Sequence, residues 1–295
     1  MSWRVTLHCT RAEAEALPEA DDLFAYSDSP PVIVADEPDP HQPDDWRIHA
    51  YFEEQPTTQE LILLRRLAAG SDPELEHLGE TDWVTLSQAG LEPIVAGRFF
   101  VHTPTHRDAI PEGATAFEID AGLAFGTGQH DTTAGCLAAL DRLQASGAHF
   151  ANIADIGTGT GLLAFAALAL WPEAKGIATD IDPISIDVTR DNAAINRVPI
   201  GHGAGELLLA VADGMDHPVL TARAPFDLLI ANILAGPLID LAPHFAKAVT
   251  PGATLVLAGL LDTQADAVIA AYAAQEMKVA ERGAGEWCVL VLTAR

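Results

Sequence analysis

The stretch from Ala151 to Pro183 constrains the fold most. It runs Ala-Asn-Ile-Ala-Asp-Ile-Gly-Thr-Gly-Thr-Gly, continues as a nearly all-apolar segment, and ends in Gly-Ile-Ala-Thr-Asp-Ile-Asp-Pro. The short apolar run Ile153–Ile156 reads as a buried strand. The three alternate glycines after it lack the Cβ atoms that would keep a ligand away from the backbone. Gly161–Leu170 is a helix that belongs against a sheet rather than in water, and at about ten residues it is too short to span a bilayer. Lys175–Thr179 is the next strand. Asp180 stands at its carboxyl end, where open α/β sheets bind ligands and an acid can accept both hydroxyls of a ribose.

Strand, glycine turn, helix, strand and acid is a unit shared by nicotinamide or flavin dehydrogenases and by S-adenosylmethionine (AdoMet) methyltransferases. A dinucleotide fingerprint, G-x-G-x-x-G, seats a pyrophosphate on a helix N-terminus. Counted from Gly157 its last glycine falls on Leu162; counted from Gly159 it falls on Ala164, which some dinucleotide sites tolerate. The fuller pattern is D-x-G-x-G-x-G, with Asp155 two residues before the first glycine. AdoMet carries an ammonium, a carboxylate and a sulfonium but no phosphate. An acid beside glycine amides suits that amino-acid moiety better than a pyrophosphate, so the spacing favours the methyltransferase and keeps the oxidoreductase as the competing class.

The chain has 295 residues, enough for two domains. Its 42 acids against 16 bases give a formal charge of -26. Such a surface repels nucleic acid and attracts a basic protein or peptide. Cys9, Cys136 and Cys288 are scattered, without a C-x-x-C pair, so neither a disulfide framework nor a thiolate metal site is indicated. The N-terminus lacks the charged start and apolar core of a signal peptide. A cytoplasmic monomer without membrane or direct nucleic-acid contact is expected.

Residues 1–80 read as a small α+β, ferredoxin-like domain. Its expected strands are Trp3–His8, Pro31–Ala35 and Trp46–Phe52, with helices over Arg11–Leu17 and Gln59–Ala69. Residues 81–110 read as a linker arm with a short strand of its own. From 111 to 295 strands and helices alternate, which predicts a mainly parallel sheet covered by helices. The last two strands, Lys278–Glu281 and Trp287–Leu292, face each other across Arg282-Gly-Ala-Gly285 as an antiparallel hairpin.

Three further segments carry chemistry. Gly122-Leu-Ala-Phe-Gly-Thr-Gly-Gln-His-Asp-Thr-Thr133 is a glycine-rich loop that can fold over a cofactor, with Phe125 offering an aromatic face to a sulfonium. Asp131-Thr132-Thr133 are good cap residues for the helix that follows. Asp213 ends a strand where it can accept the exocyclic amine of an adenine. Asn232 ends the buried strand Phe226–Ala231 and offers a side-chain oxygen to an incoming amine. Methyl transfer is an in-line displacement that needs alignment and a neutral amine more than a strong base. No metal is expected, because Pro104 lies between His102 and His106 and disrupts a shared helical face.

In order and spacing, G-L-A-F-G-T-G-x-H-x-T-T, D-x-G-T-G-T-G, D-I-D-P, A-N-I-L-A-G-P-L and a terminal E-W-C resemble the PrmA family of bacterial methyltransferases of the eleventh large-subunit ribosomal protein. The resemblance covers residues 111–295, and Asp82-Trp83 ahead of them. It implies a seven-stranded, Rossmann-like AdoMet-dependent sheet joined to a small domain that docks a basic ribosomal protein, and methylation of lysine and N-terminal amino groups. It also implies that Phe125 and Thr132 line the pocket and that Gly157 and Gly159 face the cofactor. Asp180 would hold the ribose, Asp213 would lie near the adenine, and Asn232 near the methyl and the acceptor amine. Gln129 and Asp131 stand where the family often has Thr and Pro. The alternative within the family is a lysine methyltransferase of another protein, such as the electron-transfer flavoprotein β subunit.

Overall fold

The computed structural model describes residues 2–15, 17, 24, 31–36, 46–52, 54–68, 70–78, 93–119 and 129–295. The chain divides into two compact units, Met1–Ser87 and Gln88–Arg295.

The first unit follows the order β1 (Ser2–Cys9), α1 (Arg11–Glu15), β2 (Val32–Asp36), β3 (Trp46–Phe52), α2 (Thr58–Leu64) and β4 (Glu74–Leu78). Its sheet runs β2-β3-β1-β4 with every neighbouring pair antiparallel, the ferredoxin-like arrangement. Alternation does the sorting. Val5, Leu7 and Cys9 on β1 and Ile48, Ala50 and Phe52 on β3 are buried with Leu64 and Ala68 in one core. A reciprocal cap between Thr57 and Glu60 starts α2. The helix stops short of the expected Ala69, because Arg66 and Leu67 donate to carbonyls three residues back and tighten the chain into turns.

In the second unit, β5 (Ile94–Ala96), β6 (Phe99–His102) and β7 (Thr115–Glu118) form a three-stranded sheet. Of the stretch read as an arm, residues 81–92 lie outside the described residues, and from 93 on the chain belongs to this sheet. After it come α3 (Gln129–Ala145), β8 (Asn152–Ile156), α4 (Leu162–Leu170), β9 (Lys175–Asp180), α5 (Pro183–Ile195) and β10 (Leu207–Val211). The chain continues through α6 (Pro218–Arg223), β11 (Phe226–Asn232), α7 (Ala235–Ala248) and β12 (Val249–Leu261), then α8 (Asp262–Ala273), β13 (Lys278–Arg282) and β14 (Trp287–Thr293). The seven-stranded sheet runs β10-β9-β8-β11-β12-β14-β13. The first five strands are parallel, and β14 is antiparallel to both β12 and β13. A register shift between Val279 and Glu281 kinks the edge strand β13.

Thr132 and Thr133 are the fourth and fifth residues of α3, which begins at Gln129, so they lie inside the helix rather than capping it. Helix α7 begins at Ala235, ahead of Pro237, because a proline in a first turn gives up no intrahelical hydrogen bond and is tolerated there.

Helix α4 is apolar on all sides and buried almost throughout. It packs under the small sheet as well as the large one: Phe165, 1% exposed, meets Phe117 of β7 at a ring separation of 6.3 Å. The Asp227 carboxylate accepts from the amides of Ala151 at 2.7 Å and Asn152 at 2.9 Å, fixing the start of β8 against β11. Phe165→Ala is expected to cost about 3–5 kcal/mol, read as a fall in the midpoint of chemical denaturation with an unchanged slope.

Candidate active site

From β8 the chain steps through β9 to β10 at one side and then jumps to β11 and β12 at the other. The strand order reverses between β8 and β11, and a crevice opens there at the carboxyl ends of the strands. Asp155, Asp180, Asp213 and Asn232 all stand at this edge, on β8, on β9, just after β10 and on β11. At about 4.8 Å per strand, β10 to β11 spans roughly 14 Å.

The glycine turn is held from two sides. The Thr179 carbonyl accepts from the amides of Gly157 at 2.8 Å and Thr158 at 3.0 Å. The Asp180 carboxylate accepts from the Gly159 amide at 2.9 Å and from the Asp182 amide at 3.1 Å. From α5, the Thr189 hydroxyl donates to the Gly159 carbonyl at 2.9 Å and the Asn192 amide to the Thr160 carbonyl at 3.1 Å. Both side chains are buried. Sequence reasoning missed these two braces. Their signal was a pair of polar residues three apart on the inner face of a helix that carries Ile186 and Ala193 on the same side.

Gly157 and Gly159 have φ of +74° and +56°, the left-handed region. A Cβ on Gly157 would come within 2.3 Å of Ile233, whereas one on Gly159 would meet nothing within 4 Å. The turn is packed on one side and open on the other. Asp155 is buried beneath it, accepts from the Thr158 hydroxyl at 2.7 Å, and keeps its Oδ1 without a partner. Burial pushes its carboxyl up to about 7, against the hydrogen bond from Thr158. An unpartnered acid oxygen below an open glycine backbone, with Asp180 alongside, fits the ammonium and ribose of AdoMet.

Asp213 is exposed, in a turn where its carbonyl accepts from the Asp216 amide at 3.2 Å. Asn232 is half-buried, and its side-chain amide makes no hydrogen bond among the described residues. The adjoining backbone is fixed, since the Ile233 amide donates to the Ala258 carbonyl at 3.1 Å. Thr132 is buried near the start of α3. Phe125 and the rest of its loop through Gly128 lie outside the described residues, as does Asp82-Trp83. Ile181 and Leu234, 66% and 71% exposed, are apolar residues at the same edge that sequence reasoning did not assign. Each directly follows or nearly follows a polar strand end, which is the signal that marks them. Among the described residues no group of three or more His, Cys, Asp or Glu is placed to hold a metal. His102 and His106 instead bond locally around Thr103.

Sheet order, a reversed β14 between β12 and β13, glycine turn and strand-end acids define a Rossmann-like, AdoMet-dependent methyltransferase. A family model for ribosomal protein L11 methyltransferase (PrmA) matches residues 3–295, and the chain belongs to that family. Among curated relatives, a "Ribosomal protein L11 methyltransferase" of Brucella suis is 48% identical over 202 residues, 68% of each chain. One of Mesorhizobium japonicum is 44% identical over 216 residues, covering 73% of this chain and 72% of its own. The crystal structure of a ribosomal protein L11 methylase from Lactobacillus delbrueckii subsp. bulgaricus superposes with a TM-score of 0.57 at 26% identity, covering 70% of this chain and 98% of that one.

Two outcomes test the geometry. Thr189→Val removes the hydrogen bond to the half-buried Gly159 carbonyl, which costs about 0.5–1.5 kcal/mol, so AdoMet affinity measured by calorimetry should fall by about fivefold and Thr189→Ser should restore it. For Asp155 the raised folded pKa means that the unfolded chain ionises first as pH rises, so stability falls between about pH 4 and pH 7 and is regained in acid. Asp155→Asn should flatten the melting temperature across that window; a variant as pH-dependent as the parent would mean that Asp155 is ionised in the fold.

Proposed function

We propose that this chain transfers methyl groups from AdoMet to amino groups of ribosomal protein L11, on lysine side chains and at the N-terminal α-amine. The observation that carries the reading is the family match over residues 3–295, which takes in the first unit as well as the large sheet. The alternative substrate, the electron-transfer flavoprotein β subunit, finds no support among these relatives.

When bound, AdoMet supplies an electrophilic methyl group on its sulfonium. The chain's own residues do the rest by binding, orientation and exclusion of water. Asp155, the Gly157 backbone and the open face of the turn at Gly159 are proposed to hold the amino-acid moiety. Asp180 takes the ribose hydroxyls with the lone pairs its two backbone contacts leave over, Ile181 covers an adenine face, and Asp213 accepts the exocyclic amine. Phe125 and Thr132 complete the pocket by resemblance to the family. Asn232, at the end of a rigid strand and without a side-chain hydrogen bond among the described residues, accepts a hydrogen bond from the incoming amine and points the amine's lone pair at the methyl carbon.

The amine has to arrive neutral. Asn232 stands three residues before Ala235, the first residue of α7, a helix of 14 residues. The positive end of a helix dipole disfavours an ammonium beside it and so eases loss of the proton. The first unit, which takes in the expected domain 1–80, is proposed to recognise the ribosomal protein. A formal charge of -26 suits a basic partner and a monomer that acts alone in the cytoplasm. Among the described residues no helix is long and apolar enough to cross a membrane.

Incubating the protein with AdoMet and purified ribosomal protein L11 should raise the mass of the substrate in steps of one methyl. Asn232→Ala should reduce the rate by about a hundredfold or more while AdoMet still binds. Equal rates in the two proteins would remove Asn232 from the mechanism, and no mass gain with bound AdoMet would move the search to other protein substrates.

A further inference from the structure

A cavity of about 420 Å3 lies between α3 and the β13–β14 hairpin, away from the glycine turn. Its walls include Ala138 and Arg142 of α3 and Glu281, Glu286, Trp287 and Val289 of the hairpin. The hairpin is held close to the helix: a Cβ on Gly135, one of the lining residues, would come within 2.6 Å of Val289.

Strand register gives the distance from the cavity to the acceptor position. Asn232 of β11 is opposite Ala258 of β12, and Trp287 of β14 is opposite Leu261, three residues farther toward the carboxyl edge. Two strand spacings and three residues of rise separate Trp287 from Asn232, roughly 14 Å at about 4.8 Å and 3.3 Å per step. An extended peptide covers up to about 3.3–3.6 Å per residue. A side chain about four residues from the reacting amine therefore reaches the cavity.

The charges around it are unequally matched. Arg142 is ion-paired with Glu281 at the cavity wall. Arg282, next along the hairpin, is occupied by Asp262 at 2.7 Å and Asp266 at 2.8 Å. Glu286 is exposed and makes no ion pair among the described residues, beside the half-buried Trp287. An exposed carboxylate, an indole ring and the small apolar walls of Ala138 and Val289 match a side chain with an aliphatic stem and a cationic head.

We propose that this cavity binds a lysine or arginine side chain of the protein substrate, about four residues from the amine being methylated. It is a docking subsite separate from the reacting centre and rests on the function proposed above. The stem lies along Ala138 and Val289, and the head meets Glu286 over the Trp287 ring. Its contribution falls on substrate affinity and not on the transfer step.

The test compares wild type, Glu286→Gln and Glu173→Gln, the last removing the same charge from an exposed residue elsewhere. Glu286→Gln should raise KM for intact ribosomal protein L11 by about five- to tenfold. It should leave kcat, AdoMet affinity and KM for a five-residue peptide with one central lysine unchanged, because that peptide cannot reach the cavity. Glu173→Gln should change none of these. An unchanged KM for the intact protein, or an equal rise for the short peptide, overturns the proposal, and a lowered KM would assign the cavity to an acidic side chain facing Arg142. If wild type does not methylate ribosomal protein L11, the functional reading fails separately. The subsite is then decided by calorimetry with a tetralysine peptide, which Glu286→Gln should bind more weakly than Glu173→Gln; equal affinities refute it.

Discussion

The Asp180 carboxylate does two structural jobs at once. It ends β9 by accepting from Asp182, and it fixes the glycine turn after β8 by accepting from Gly159. A turn of three glycines is entropically expensive to order, and this turn is ordered only because backbone and side-chain groups of its neighbours take up its polar atoms. The Thr179 carbonyl, Asp180, Thr189 and Asn192 surround it, leaving one face free. That free face is where a cofactor can approach the backbone itself. The strand-end acid thus shapes the site before any ligand arrives, and its remaining lone pairs are available to a ribose.

The same economy governs Asp155. A carboxyl enclosed by α4 and the sheet would be poorly placed as a permanent charge. The Thr158 hydroxyl satisfies one oxygen, burial raises the carboxyl's pKa to about 7 so that it ionises readily near neutrality, and the other oxygen stays without a hydrogen-bond partner. A group in this state can be completed by a cation, and the glycine turn lies directly above it. Preorganisation here consists of one unsatisfied acceptor and one open patch of backbone, both supplied by a seven-residue motif.

Much of this was legible in the sequence because the relevant signals are local. Apolar runs bounded by Gly, Asp or Asn located β8, β9, β10 and β11, and the acid or amide at the end of each marked the ligand edge. Trp46–Phe52 was readable to the residue because its alternation is strict. The parts that escaped depend on tertiary contact. β4 carries four exposed positions of five and has no periodicity to announce it. Thr189 and Asn192 look like ordinary helix residues until the turn they brace is folded beneath them. The caps expected at Asp131–Thr133 failed for a different reason: residues that favour a cap are also tolerated near the start of a helix, and only the preceding chain decides between the two. Exposed Ile181 and Leu234 stand out only once their solvent exposure is known.

The kink in β13 has a consequence for how the protein behaves in a crowded solution. A seven-stranded sheet has two open rims, and a flat rim of unpaired amides invites a second copy to add on. Here the rim strand breaks its register between Val279 and Glu281 and carries the exposed Lys278, so a stranger's strand finds neither a straight ladder nor an uncharged surface. Exposed backbone of another chain therefore finds little to pair with along this rim.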